Sequence, residues 1–173
     1  KMGVTATGGR NLLIAYNVNL NTDNKSQANQ IAGKIRTSGY IIKDDEGNSI
    51  KDENGKPLRQ PGKFSNLQAA GWMYDENTAQ VSMNLLDFNL TGLHLVTDEI
   101  RMEATNLGLQ AISSELVGLV PLDAILAAGQ HYGNNPDASE QELVDYAING
   151  LMLNKQSVFD PNKNIIEWAI RGD

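Results

Sequence analysis

The feature that most constrains the fold of this chain is a period of two residues in the side chains of the segment NLLIAYNVNL, residues 11–20. One set of alternate positions is apolar throughout: Leu12, Ile14, Tyr16, Val18 and Leu20. The other set ends in two asparagines, Asn17 and Asn19. Because successive side chains of a strand point to opposite faces of its sheet, this pattern predicts a strand with one face on a core and one polar face.

Further patterns predict the order of the remaining elements. Apolar spacing predicts helices over residues 26–38, 91–107 and 139–153, a helix opened by Pro121, and strands over residues 67–75, 79–88, 111–120 and 164–170. The core order is then strand, helix, strand, strand, helix, strand. We therefore expect an α/β (α+β) fold, a ferredoxin-like split βαββαβ sheet with helices on one face, plus appended helices and a C-terminal strand. We also expect the strands that follow the two crossovers to be central.

The segment over residues 40–63 is polar and rich in glycine, unlike the rest of the chain. It holds two similar stretches, KDDEGNSI and KDENGKPL, and the second contains the hairpin signal Asn54-Gly55. Its acids suggest a calcium loop as an alternative, but they lack the spacing of calcium ligands. We therefore expect an exposed and mobile hairpin insertion, because such a composition buries little apolar surface.

Size and composition are those of one globular domain. With 173 residues and 40% hydrophobic residues, the chain is expected to form a single domain over residues 1–173. The net charge of -7 argues against nucleic-acid binding, which needs basic clusters. No apolar run is long enough for a membrane span, and no signal peptide is recognisable. The chain has no cysteine, which excludes thiol chemistry and is consistent with the cytoplasmic location that we expect.

Two histidines, His94 and His131, are the only ones in the sequence. Neither lies among residues at metal-ligand spacing, so we expect no metal. His94 falls in the first turn of a predicted helix, where a buried or capping histidine is commoner than a catalytic one. His131 falls at a polar helix end, and a direct role in substrate binding is expected for neither histidine.

Short uncharged polar residues mark one surface of the predicted sheet. In the third strand Gln80, Ser82 and Asn84 alternate with apolar residues. If this strand neighbours the first, the three side chains join Asn17 and Asn19 on the surface that the helices leave uncovered, which we call the open face. Such groups offer donors and acceptors without charge, and they suit a surface enclosed by a ligand or a second protein layer. The alternative is a face whose amides are solvated or bond to one another.

Four segments carry a resemblance to a known family: NLLIAYNVNL, AQVSMNLLDF, ELVGLVPLDAIL and FDPNKNIIEW. In this order they resemble segments of glutamate formimidoyltransferases, which in animals are fused to a cyclodeaminase. Members of the family have two similar α/β subdomains whose sheets pack face to face with folate between them. The resemblance implies that this chain is the C-terminal subdomain. Lys1 before Met2 also suggests a chain cut upstream of a domain boundary. The insertion is longer than in the animal enzymes.

The resemblance implies a transfer of the formimino group from N-formiminoglutamate to tetrahydrofolate, in histidine degradation and one-carbon metabolism. The family's catalytic histidine belongs to the N-terminal subdomain, so we assign no catalytic residue here and expect the isolated chain to be inactive. Expected partners are that subdomain, both substrates (tetrahydrofolate as co-substrate) and a second copy in a homodimer. The expected substrate-binding residues are Arg10, Asn17, Asn19, Gln80, Ser82, Asn84 and Glu115.

Two of these residues have a specific candidate role. Arg10 would hold a glutamate carboxylate, with an ordinary surface arginine as the alternative. Glu115 would accept hydrogen bonds from the N–H groups of the pterin, with a solvated glutamate at the start of a strand as the alternative. The alternative function is a ferredoxin-like regulatory or oligomerisation module that uses the same sheet face for a small effector or a protein partner without catalysis.

Overall fold

A computed structural model of the protein describes residues 12–172. Its elements in chain order are β1 (Ile14–Leu20), α1 (Lys25–Ile35), β2 (Tyr40–Ile41), β3 (Arg59–Gln60), β4 (Leu67–Met73), β5 (Ala79–Leu85), α2 (Leu93–Asn106), β6 (Ala111–Val117), α3 (Leu122–Tyr132), α4 (Glu140–Leu151), α5 (Pro161–Asn164) and α6 (Ile166–Arg171). Every strand and helix predicted for the βαββαβ core is present. Within this part of the chain, no helix is long and apolar enough to cross a membrane.

The main sheet has four strands in the order β4-β5-β1-β6, and all its neighbours are antiparallel. This order confirms the ferredoxin-like prediction and the pairing of the first strand with the third. The prediction that the strands after the crossovers are central was wrong, because β4 and β6 lie at the edges. Each crossover returns to a parallel strand two positions away, which leaves a gap that an antiparallel strand fills.

The core lies between this sheet and the helices. The alternate residues Ile14, Tyr16, Val18 and Leu20 of β1 are fully buried there, as the alternation predicts. They pack with apolar residues of α1 and α2, including Ile31 and Ile100. Burying each large aliphatic side chain contributes about 1.5–3 kcal/mol, so this layer provides most of the driving force for folding. The helices therefore cover one face of the sheet and leave the other open.

Helix ends follow local chemistry that is readable in the sequence. Asn24 caps α1, because its side-chain oxygen accepts a hydrogen bond from the backbone N–H of Ser26 at 2.9 Å. Ser139 and Glu142 form the predicted capping box at the start of α4. Pro121 lies one residue before α3, as its N-cap, rather than inside the first turn. Asn24 and Ser139 thus pair backbone N–H groups in the first turns of α1 and α4, whereas Pro121 makes no side-chain capping bond.

The predicted C-terminal strand is wrong, since residues 161–171 form α5 and α6 instead. Ile165 makes one parallel bridge to Val120, and no second strand residue continues it in the described chain. Glu167 then accepts a hydrogen bond from the backbone N–H of Leu122 at 2.7 Å, which ties α6 to the start of α3. The indole N–H of Trp168 donates to Glu140 at 2.9 Å. A short apolar run suits a helix or a strand, and these contacts select the helix.

The insertion is built from two similar loops. Asp44 accepts hydrogen bonds from two backbone N–H groups of its own loop, and Asp52 does the same in the second loop. Backbone bonds also join three residues spaced eight apart, each donating to the next: Ile50 to Ile42, Leu58 to Ile50, and Ile42 to Leu58. Each loop of the repeated polar stretches is therefore closed on itself.

The base of the insertion is attached to α1 and α2. The backbone N–H groups of Lys63 and Phe64 donate to the carbonyls of Lys34 and Ile35 in the last turn of α1. The ammonium of Lys63 also pairs with the largely buried carboxylate of Glu99 on α2. These bonds satisfy helix-terminal carbonyls and hold the segment where it re-enters the domain.

Candidate functional site

The strand register places the open-face residues in three rows across the four strands. From β4 to β6 the rows are Gln68, Asn84, Ala15, Val117; then Ala70, Ser82, Asn17, Glu115; then Trp72, Gln80, Asn19, Ser113. The structure therefore brings six of the seven predicted binding residues onto one surface. The seventh, Arg10, lies outside the described residues.

A hydrogen-bonded network links the side chains on β1, β5 and β6. The amide of Asn17 donates to Glu115 Oε1 at 2.9 Å, and the amide of Gln80 donates to the same oxygen at 3.0 Å. Gln80 also donates to Asn19 Oδ1 at 2.9 Å. Asn19 in turn donates to the hydroxyl of Ser113 at 3.1 Å. The sequence left open, as an alternative to ligand binding, that the amides of this face bond to one another. Such bonding is present at these positions.

Burial divides the open face into two parts. Asn19 is fully buried and Gln80 is 5% exposed, so their network is a fixed part of the structure. Ser82 and Asn84 are only half-buried, and their side chains make no hydrogen bond to other residues of the described chain. These two side chains are therefore available to a ligand or a partner, whereas Asn19 and Gln80 orient their neighbours.

Glu115 is the one carboxylate on the open face among residues 12–172. Both of its amide partners use Oε1, and Oε2 has no partner in the part of the chain that the structure describes. The two amide donors fix the orientation of the carboxylate, and Oε2 can accept a hydrogen bond from a further N–H group. The arrangement suits recognition of a donor-rich heterocycle, because a charge-assisted bond is about twice as strong as a neutral one.

Trp72 and Ser113 are among the residues of this surface that sequence reasoning did not single out. Trp72 occupies the same face from β4 and is 58% exposed, beside a depression of about 270 Å³. Ser113 extends the network and donates to Gln156 Oε1 at 3.3 Å. Trp72 was predictable, since it alternates with Gln68 and Ala70 in a predicted strand. Ser113 was predictable in the same way, since it alternates with Glu115 in a predicted strand, but its contact with Asn19 depends on pairing between β1 and β6.

The two histidines lie on the helical side of the sheet, away from the open face. His131 Nε2 is 2.6 Å from Asp98 Oδ2, and the rings of His94 and His131 are 4.7 Å apart. Burial and the nearby charge of His131 lower the pKa of His94. Although burial opposes it, hydrogen bonds from His131 and Tyr132 lower the pKa of Asp98. The cluster joins α2 to α3 and has no access to the open face.

Residues 12–172 contain no group of three or more histidine, cysteine or acidic side chains arranged to hold a metal ion. The open face therefore presents amides, hydroxyls, one carboxylate and one indole. This set can bind and orient a polar, partly aromatic ligand. It holds no pair of groups placed for general acid and base catalysis.

Comparison with known proteins decides the family. The sequence profile described as the formiminotransferase domain matches residues 15–171. The chain belongs to this family. The resemblance to glutamate formimidoyltransferases is thereby confirmed.

Named relatives agree with this assignment. The formimidoyltransferase-cyclodeaminase of Rattus norvegicus is 40% identical over 172 residues, which cover 97% of this chain and 29% of that protein. That of Dictyostelium discoideum is 39% identical over 175 residues, covering 99% and 29%. The glutamate formimidoyltransferase of Streptococcus pyogenes serotype M1 is 36% identical over 131 residues, covering 75% and 36%. This formiminotransferase domain thus spans less than a third of the length of the fused relatives.

Proposed function

We propose that this chain is the substrate-holding C-terminal subdomain of a glutamate formimidoyltransferase, which moves a formimino group from N-formiminoglutamate to tetrahydrofolate. The observation that carries the proposal is the open face. There the side-chain amides of Asn17 and Gln80 fix the orientation of the Glu115 carboxylate, beside Ser82 and Asn84, whose side chains make no hydrogen bond within the described chain. Membership of the family supports the reaction class. The chain covers only 29% of the relative from Rattus norvegicus, which supports a division into subdomains.

On this proposal the open face positions folate and performs no proton transfer. Glu115 accepts hydrogen bonds from N–H groups at the edge of the pterin, while Ser82 and Asn84 contact polar groups further along the ligand. Asn19 and Gln80 hold this arrangement in place from beneath. Arg10 would bind a glutamate carboxylate of a substrate. Fixing two reactants in one geometry can lower the barrier by about 7–11 kcal/mol, so orientation alone is a large contribution.

The reaction needs groups that the open face does not supply. N5 of tetrahydrofolate attacks the formimino carbon, the bond from that carbon to the glutamate nitrogen breaks, and a proton moves from N5 to the departing amine. An acid–base group must carry this proton. We propose that it comes from a second subdomain, packed against the open face, in a cytoplasmic homodimeric enzyme. The isolated chain is then inactive.

Calorimetric titration of the full gene product with 5-formyltetrahydrofolate tests the proposal. Glu115→Gln should raise the Kd about 10- to 100-fold, because a bond to a charged group contributes roughly 1.5–3 kcal/mol. Glu53→Gln, the same change on the exposed insertion, is the matched control and should leave the Kd unchanged. If the wild-type protein binds no folate, the open face belongs instead to a regulatory or oligomerisation module.

A further inference from the structure

Trp72 is exposed on the open face to an extent that calls for a physical explanation. Its indole is 58% exposed, although tryptophan has the largest apolar surface of any side chain. It faces outward from the edge strand β4 and lies opposite Gln80 of β5. A large apolar ring in contact with water is unfavourable, so its position suits a ring that becomes covered when a ligand and the second subdomain pack against the open face.

The surface next to Trp72 is shaped to receive a flat group. The neighbouring positions are small, Ala70 on the same strand and Ser82 beside it, and they leave a depression of about 270 Å³. The amide side chains of Gln68 and Asn84 line its far side as a directly opposed pair. The site therefore has an aromatic wall at one end and a donor–acceptor pair at the other.

Helix α1 contacts both the indole and its strand. The ammonium of Lys25 lies 4.6 Å from the centre of the ring, within the range of a cation–π contact. The preceding residue, Gly71, donates its backbone N–H to Asn29 Oδ1 at 2.8 Å. A Cβ added to Gly71 would lie 2.4 Å from the backbone nitrogen of Asn29, so only glycine permits this close approach. Strand β4 is thus packed closely against α1 at this position.

Distance across the sheet decides which part of the ligand reaches Trp72. Neighbouring strands are about 4.8 Å apart, so β4 lies about 14 Å from β6, which carries Glu115. One pterin ring cannot contact both residues. If Glu115 binds the pterin, the ring at Trp72 must be a second aromatic group of the same molecule.

We propose that Trp72 stacks on the p-aminobenzoyl ring of folate, and that Gln68 and Asn84 bond to the amide joining this ring to glutamate. Tetrahydrofolate then lies across the strands, with its pterin at β6 and its glutamate end at β4. This inference rests on the proposed function and specifies the orientation of the ligand.

The test measures the Kd of three ligands for the full gene product: 5-formyltetrahydrofolate, p-aminobenzoyl-L-glutamate and 6-hydroxymethylpterin. Trp72→Ala should raise the Kd of the first two about 5- to 150-fold, the range for loss of one stacked ring, and leave the third unchanged. Trp72→Phe should retain most of the affinity. Trp168→Phe, at the other tryptophan of this chain, is the control and should change none of the three.

Each contrary outcome has a distinct meaning. If 5-formyltetrahydrofolate binds equally well to wild type and Trp72→Ala, the stacking is wrong and the proposed function stands. If Trp72→Ala weakens 6-hydroxymethylpterin, or wild type fails to bind p-aminobenzoyl-L-glutamate at millimolar concentration, the orientation is wrong. If wild type binds no 5-formyltetrahydrofolate, both proposals fail. Trp72 is exposed, so Trp72→Ala should not unfold the protein. The midpoint of thermal unfolding of the variant, compared with that of wild type, checks this.

Discussion

Asn19 and Asn84 allow the structural and binding roles of the open face to be separated by one type of substitution. Asn19 is fully buried, donates to Ser113 and accepts a hydrogen bond from Gln80. Asn84 is half-buried and has no side-chain bond to another residue of the described chain. Leucine replaces either amide with an apolar group of similar size. The two variants should therefore lose different properties.

The expected stability changes follow from the bonds that each variant loses. Asn19→Leu removes two hydrogen bonds of about 0.5–1.5 kcal/mol each, and Gln80 keeps its second bond to Glu115. The free energy of unfolding should fall by about 1–3 kcal/mol. Asn84→Leu removes no internal bond and stays outside the core, so its unfolding free energy should remain within about 0.5 kcal/mol of wild type.

Binding should show the opposite contrast. On the proposed function, Asn84→Leu leaves a polar group of folate buried without a partner, which costs about 1–3 kcal/mol and raises the Kd about 5- to 150-fold. Urea denaturation gives the stability change, and calorimetric titration of the full gene product with 5-formyltetrahydrofolate gives the Kd. Asn89→Leu, the same change at an exposed position in the β5–α2 connection, is the control for both.

Two results would refute this reasoning. If Asn84→Leu unfolds the chain, its side chain belongs to the packed interior and the assignment of faces is wrong. If it leaves the Kd unchanged while Glu115→Gln raises it, folate does not extend along β5. An Asn19→Leu variant as stable as wild type would show that the buried network contributes nothing to the fold.

Three further predictions concern the rest of the molecule. The folded structure lowers the pKa of His94 from 6.5, so the contribution of neutral His94 to stability is complete above about pH 6.5 and is lost as the pH falls through the lowered value. The urea midpoint should therefore fall between about pH 7.5 and about pH 5, and His94→Phe should make this fall smaller. An unchanged slope would contradict the prediction. Replacing residues 43–57 by an Asn-Gly turn should change the unfolding free energy by less than about 1 kcal/mol, because the removed bonds lie within the insertion; a large drop in the calorimetric melting temperature would contradict this. Gly71→Ala should destabilise the protein by about 1–3 kcal/mol, because the new methyl group meets the backbone of α1, and urea denaturation equal to wild type would count against that close approach.

Local pattern was sufficient for much of the fold and for part of the site. Period-two alternation in residues 14–20 and 79–85 identified these segments as strands, though not as the central ones, and showed the polar side of each, so five open-face residues were predictable. Ser139 and Glu142 identified the start of α4 in the same way. In each case the signal lies within a few consecutive residues, where backbone geometry determines which side chains share a face.

Long-range packing decided what the pattern left open. Residues 164–170 suited a strand or a helix, and contacts of Glu167 and Trp168 with α3 and α4 selected the helix. Glu115 acquired its direction from Asn17, which is 98 positions away in the chain. The position of β4 at the sheet edge, with Trp72 exposed, likewise followed from strand order. A sequence encodes periodicity locally, but register and edge position arise only when distant segments pair, and the free energy of that pairing depends on the whole core.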